Sequence, residues 1–85
     1  MQLRFTKSFE NEYKKVIKGH SSLQKLIAKQ LLILQKNINH PSLRLHKLAG
    51  QKYWSISINK SIRILLILEN KLIYIFHIGK HEDVY

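Results

Sequence analysis

The hydrophobic period of this chain changes once, and that change narrows the possible folds more than any other feature. Up to Ile38 the apolar residues recur every three to four positions, whereas from Trp54 onward they alternate and then run together. The first pattern belongs to amphipathic helices and the second to strands. The chain is therefore predicted to be α+β, with helices ahead of a sheet. Leu3 and Phe5 make a brief alternation that predicts an opening strand. In the first helix Phe9, Tyr13, Val16 and Ile17 share one face, Thr6 or Ser8 caps the start, Glu10 and Glu12 suit the positive first turn, and Lys14, Lys15 and Lys18 precede a stop at Gly19. Ser21 or Ser22 starts the second, whose stripe is Leu23, Ile27, Leu31, Leu34 and Ile38 and whose end is set by Asn39, His40 and Pro41. The short link between them predicts an antiparallel helical hairpin.

Beyond the hairpin, Trp54, Ile56 and Ile58 alternate with Tyr53, Ser55 and Ser57, Asn59 and Lys60 suit a tight turn, and Ile62 to Leu68 is rich in Ile and Leu. Glu69, Asn70 and Lys71 make the next turn, and Leu72 to Ile78 the last strand. Residues 44 to 78 thus read as a meander of three or four antiparallel strands. The last two strands are apolar at nearly every position, as strands covered on both faces are, yet one helical hairpin covers only one face. Either a protein partner docks over the sheet or its edge, or the side chains curl the sheet into a tight core.

With 85 residues, three Gly and one Pro, the expectation is one domain over residues 1–85 with little room for linkers. The absence of Cys excludes a disulfide framework or thiolate metal site. Without a signal-like segment or an apolar run long enough to span a bilayer, the protein is expected to be soluble and cytoplasmic, with no membrane partner. Its formal charge is +10, and no acidic residue lies between Glu12 and Glu69. Such a field attracts polyanions, nucleic acid first among them, because phosphate neutralisation releases counterions.

The chain has no glycine-rich phosphate loop and no Ser, His and Asp spacing of a hydrolase. None of its five His forms an i, i+4 helical pair beside a carboxylate, so neither a metal nor a cofactor is expected. The remaining set of His, Arg, Lys and Tyr suits phosphodiester chemistry. Metal-free RNA cleavage needs a base for the 2′-OH proton, an acid for the departing 5′ oxygen and a fixed positive charge on the phosphate. Two imidazoles and a guanidinium can supply these. The candidates are His46, Arg63, His81 and Tyr85. Arg63, flanked by Ile62 and Ile64, faces water, pairs with Glu69 or Asp83, or meets a phosphate. By residue type alone His46 reads as an ordinary exposed loop or strand histidine, and chain ends such as His81 and Tyr85 carry little information. His77 reads as structural or partner-facing, His20 and His40 as helix-end residues, and Trp54 as a packed core aromatic. No exposed aromatic platform is evident in the sheet, which disfavours a plain RNA-binding module.

This order of elements, together with "LHKLAGQKYWSISINKSIRILLIL" and the closing "FHIGKHEDVY", resembles the RelE/ParE superfamily of toxins from bacterial type II toxin-antitoxin modules. The first stretch has the family's Lys-Leu-x-Gly turn before a hairpin and its strand arginine. The resemblance covers essentially the whole chain. It implies a RelE-like fold and an endoribonuclease, an mRNA interferase, that cuts messages in the ribosomal decoding site and is neutralised by a cognate antitoxin. Arg63 matches the family's phosphate-contacting strand arginine, His81 the Arg or His after the Gly-x-x turn, and Tyr85 the terminal aromatic. His46 looks like the extra histidine of the YafQ-like branch. Where the RelE branch carries two strand lysines this chain has Ser55 and Ser57, which points to the histidine-dependent variant. Arg44, Lys47, Lys52, Lys60 and Lys80 then supply charge toward message and ribosomal RNA. The free toxin is expected to be monomeric and to form a hetero-oligomer with its antitoxin. A ParE-like inhibitor of DNA gyrase without nuclease activity is the alternative on the same fold.

Overall fold

The computed structural model describes residues 1–80. The elements run β1 (Gln2–Phe5), α1 (Lys7–Ile17), α2 (Ser21–Lys36), a short 3-10 helix (Pro41–Leu43), β2 (His46–Lys47), β3 (Trp54–Ser57), β4 (Ile62–Glu69) and β5 (Leu72–Lys80). Of the two possible caps, Thr6 starts α1: its Oγ1 accepts the Phe9 amide at 3.1 Å. Past the end of α1, Gly19 adopts φ +74°, a left-handed conformation that suits glycine. Helix α2 stops at Lys36, before the predicted Asn39 to Pro41 boundary. The Asn37 side chain accepts the Asn39 amide at 3.1 Å, a local turn that competes with continued helix.

Among the described residues the sheet has five strands in the order β1-β5-β4-β3-β2. Strands β2 to β5 form the antiparallel meander expected from the period change. The opening strand joins it in parallel beside β5, from Gln2 opposite Leu72 to Phe5 opposite Ile75. At the β4–β5 turn Asn70 takes φ +54°, a region asparagine enters more readily than most residues. The hydrophobic core lies on one face, where Ile56, Ile64, Leu66, Ile73, Ile75 and Ile78 meet Ile27 and Leu34 of α2 and Phe9 of α1. Helix α1 packs chiefly along β5 rather than against α2. Buried Gln30 ties α2 to its surroundings, donating through Nε2 to the carbonyls of Ser42 and Ser57 at 3.2 Å each.

The opposite face carries the residues that alternate with the core. Ser55, Ser57, Arg63 and Leu65 lie on it, because their strand neighbours Ile56, Ile64 and Leu66 point into the core. The β4–β5 register shifts between Leu65, opposite His77, and Leu66, opposite Ile75, which leaves Phe76 as an inserted residue. Such a bulge bends the strand and interrupts its hydrogen bonding. Glu12 from α1 meets the strand just past the bulge. Its carboxylate accepts the Ile78 amide at 3.3 Å and His77 Nδ1 at 2.7 Å.

Candidate functional site

Arg63 enters the open face because β4 alternates, and it reaches across that face to acceptors on and beyond β3. Its Nη2 donates to Ser55 Oγ at 2.9 Å and to the Arg44 carbonyl at 3.4 Å. Ser55 has no exposed surface. The guanidinium therefore does not follow its direct cross-strand partner Ser57 but leans diagonally over β3 toward β2. The Arg44 carbonyl is presented by a backbone with φ +48°, which closes the 3-10 helix and turns the chain into β2.

His46 arrives at the same place from the other side. In the β2–β3 ladder it stands opposite Ser55, and residues so paired project from the same face with Cβ atoms about 5 Å apart. Ser55 thus has an exposed imidazole on one flank and a guanidinium hydrogen-bonded to it. Of the four candidate catalytic residues, His46 and Arg63 are brought to one patch. His81 and Tyr85 lie outside the described residues.

The candidate charge-bearing residues are spread more widely. Arg44 is exposed beside the Arg63 guanidinium, Lys52 is exposed in the β2–β3 connection, and Lys60 is exposed in the β3–β4 turn. Lys47 pairs with Trp54 and carries its ammonium 6.0 Å from the indole centroid, toward the helix-covered side of the sheet edge. Lys80 stands opposite Ile62 and lines a cleft with Lys15, His20 and Glu12. These two cations therefore sit away from His46 and Arg63. His77 is held by Glu12, Trp54 packs at the core margin, and His20 and His40 occupy helix starts.

Two features were not expected from the sequence. One is the Ser55 hydroxyl as the Arg63 anchor, which needs the cross-strand register to be seen. The other is an aromatic pair on the open face. Tyr53 and Phe76 stand with ring centroids 5.0 Å apart over an open groove of about 480 Å³. Both rings are half-buried and line the groove rather than standing as an exposed platform. Phe76 reaches the groove through the bulge, an irregularity that strict alternation does not reveal. Among the described residues, no group of three His, Cys, Asp or Glu is placed to hold a metal ion, and no helix is long and apolar enough to cross a membrane.

No family model matches the chain, and no curated protein matches its sequence significantly. Solved structures do. The chain is similar to YafQ in the E. coli DinJ-YafQ complex, with TM-score 0.81, 16% identity and coverage of 99% of this chain and 97% of that one. It is also similar to a copper-bound mutant toxin from Helicobacter pylori, with TM-score 0.80, 18% identity and coverage of 100% and 99%. A third is the YoeB/ParE toxin from Agrobacterium tumefaciens, with TM-score 0.80, 16% identity and coverage of 95% and 99%. At these identities the likeness is one of fold, and the chain has the α+β fold of RelE-like and YafQ-like toxins over essentially its full described length.

Proposed function

We propose that this chain is the toxin of a type II toxin-antitoxin pair and that it cleaves messenger RNA on the ribosome, without a metal, until a cognate antitoxin neutralises it. The observation that carries the reading is the patch built on Ser55, where an arginine and a histidine meet on the open face of a YafQ-like sheet. A guanidinium held in place presents planar N–H donors in a geometry that matches two phosphate oxygens. Arg63 would hold the scissile phosphate and stabilise the charge that builds on it during attack.

In the reaction, one histidine takes the proton from the 2′-OH, and the 2′ oxygen forms a bond to phosphorus as the 5′ oxygen leaves. The second histidine donates a proton to that oxygen. The products are a 2′,3′-cyclic phosphate and a 5′-OH. We assign the two proton-transfer roles to His46 and His81 jointly and nucleotide positioning to Tyr85. The net charge of +10 supports both partners, since ribosomal RNA and an acidic antitoxin segment each offer negative charge. The antitoxin seen with YafQ in the DinJ-YafQ complex supports a protein partner of this kind.

The test is to add the protein to a translating extract and map message breaks, with His46→Ala, His81→Ala and Arg63→Ala beside the unaltered chain. Each substitution is expected to slow cleavage by about 10²-fold or more, the scale of losing a proton-transfer group or a phosphate clamp. Intact messages together with trapped gyrase would replace this reading with the ParE-like one.

A further inference from the structure

We infer that the groove between Tyr53 and Phe76 is a binding subsite for one unpaired nucleobase of the RNA whose phosphate lies at Arg63. The inference rests on the RNA-cleaving function proposed above and adds to it a place for the base. The groove's position follows from the sheet. Tyr53 faces outward because its neighbour Trp54 turns toward the core, and Phe76 is carried outward as the inserted residue of the β5 bulge. Leu65 lines the groove between them on the same face, and Leu48 lines it from the β2–β3 connection.

The groove's chemistry selects the occupant. Its volume of about 480 Å³ falls within the roughly 300–1,000 Å³ typical of small-ligand sites. Two half-buried rings inclined at 56° offer one face for stacking and one edge for lateral contact. The Gln51 amide and Ser8 hydroxyl at its margin can donate to and accept from the edge of a base. Among the described residues no Lys or Arg lines it, and the one imidazole that does, that of His77, is engaged by Glu12. An acidic peptide would find no countercharge there. A base needs none, because a nucleobase is neutral and flat, and its charge lies on the adjoining phosphate.

That phosphate has its own place nearby. Arg63 precedes Leu65 by two residues on the same face of β4, a separation of about 7 Å along the strand. A single nucleotide spans that distance, so the cation and the aromatic slot together fit one nucleotide step. Stacking on an aromatic ring tolerates every base, and it contributes on the scale of a tenfold change in affinity per base.

The experiment uses the full chain and two uncleavable 2′-O-methyl RNA oligomers of equal length, one carrying 2-aminopurine centrally and the other an abasic sugar at that position. Binding is followed by anisotropy of an end label, with aminopurine quenching as the direct reporter of stacking. The unaltered chain should bind the base-bearing oligomer about tenfold more tightly and quench it. Tyr53→Ala should erase that preference and the quenching while leaving abasic affinity unchanged, Tyr53→Phe should retain both, and Arg63→Ala should weaken the two oligomers equally. A variant that had failed to fold would lose both oligomers and is thereby recognised, in which case Phe76→Leu must show the same loss of preference for the inference to stand. Equal binding of both oligomers by the unaltered chain, with the Arg63 effect intact, overturns the base subsite and leaves the RNA reading standing. Binding of neither oligomer overturns both. Retained RNA preference in Tyr53→Ala alongside lost binding of an acidic protein partner would reassign the groove to protein docking.

Discussion

A serine hydroxyl with no exposed surface must find its partners inside the protein, and one of those Ser55 finds is the Arg63 guanidinium at 2.9 Å. That bond turns a long, flexible cation into one held in place before any anion arrives. Ser55→Ala removes one acceptor from a charged donor in a poorly hydrated site. It is expected to lower stability by about 1–3 kcal/mol in urea unfolding. Through Arg63 it should also slow message cleavage by about tenfold, with Ser55→Thr recovering part of the rate if the bond matters rather than the volume. Arg44 offers a contrasting case. Its carbonyl receives Arg63, but its own backbone sits at φ +48°, where a side chain is disfavoured by about 1 kcal/mol. Arg44→Gly should therefore leave folding stability equal or raised by up to about 1 kcal/mol while weakening RNA binding through the lost charge. A fall in stability would show that the Arg44 side chain contributes packing as well as charge.

At the scale of elements, Gln30 is the feature that joins parts of different type. A glutamine on the buried face of a helix is unfavourable unless its amide is paired, and here it donates to the carbonyls of Ser42 and Ser57, fixing α2 against both the 3-10 helix and β3. Gln30→Leu, close in size, strands two carbonyls and should cost about 2 kcal/mol or more in a thermal melt. Thr6→Ala should cost about 1 kcal/mol by removing the cap of α1. Most of these elements could be read from the sequence, because helix stripes and strand alternation are local and Thr6, Gly19 and Asn70 are local signals of start and turn. The early end of α2 was missed because an Asn37 side-chain turn competes with the helix at a spot where apolar periodicity continues to Ile38. The site was legible only in part. Arg63 stood out as a charge in an apolar strand, whereas its anchor Ser55 and the Tyr53–Phe76 pair depend on register and on a bulge, neither of which a single strand displays.

For the whole molecule, the unbalanced charge makes a quantitative expectation available. If Arg63, Arg44 and other exposed cations neutralise phosphates, the logarithm of affinity for single-stranded RNA should fall linearly with the logarithm of salt concentration, losing about 0.7 from the slope for each contact removed. Arg63→Ala should flatten the line by that amount, and Tyr53→Ala should shift it without changing its steepness. A slope near zero would show that the +10 charge plays no part in binding RNA. The parallel pairing of β1 with β5 bears on how such a molecule is made. Residues 2–5 leave the ribosome well ahead of their ladder partners, residues 72–75. During translation β1 must wait, unpartnered, until β5 has been polymerised, and closing so long a span is entropically slow. Biosynthesis thus leaves the nascent protein with an unfinished sheet edge until β5 has been added.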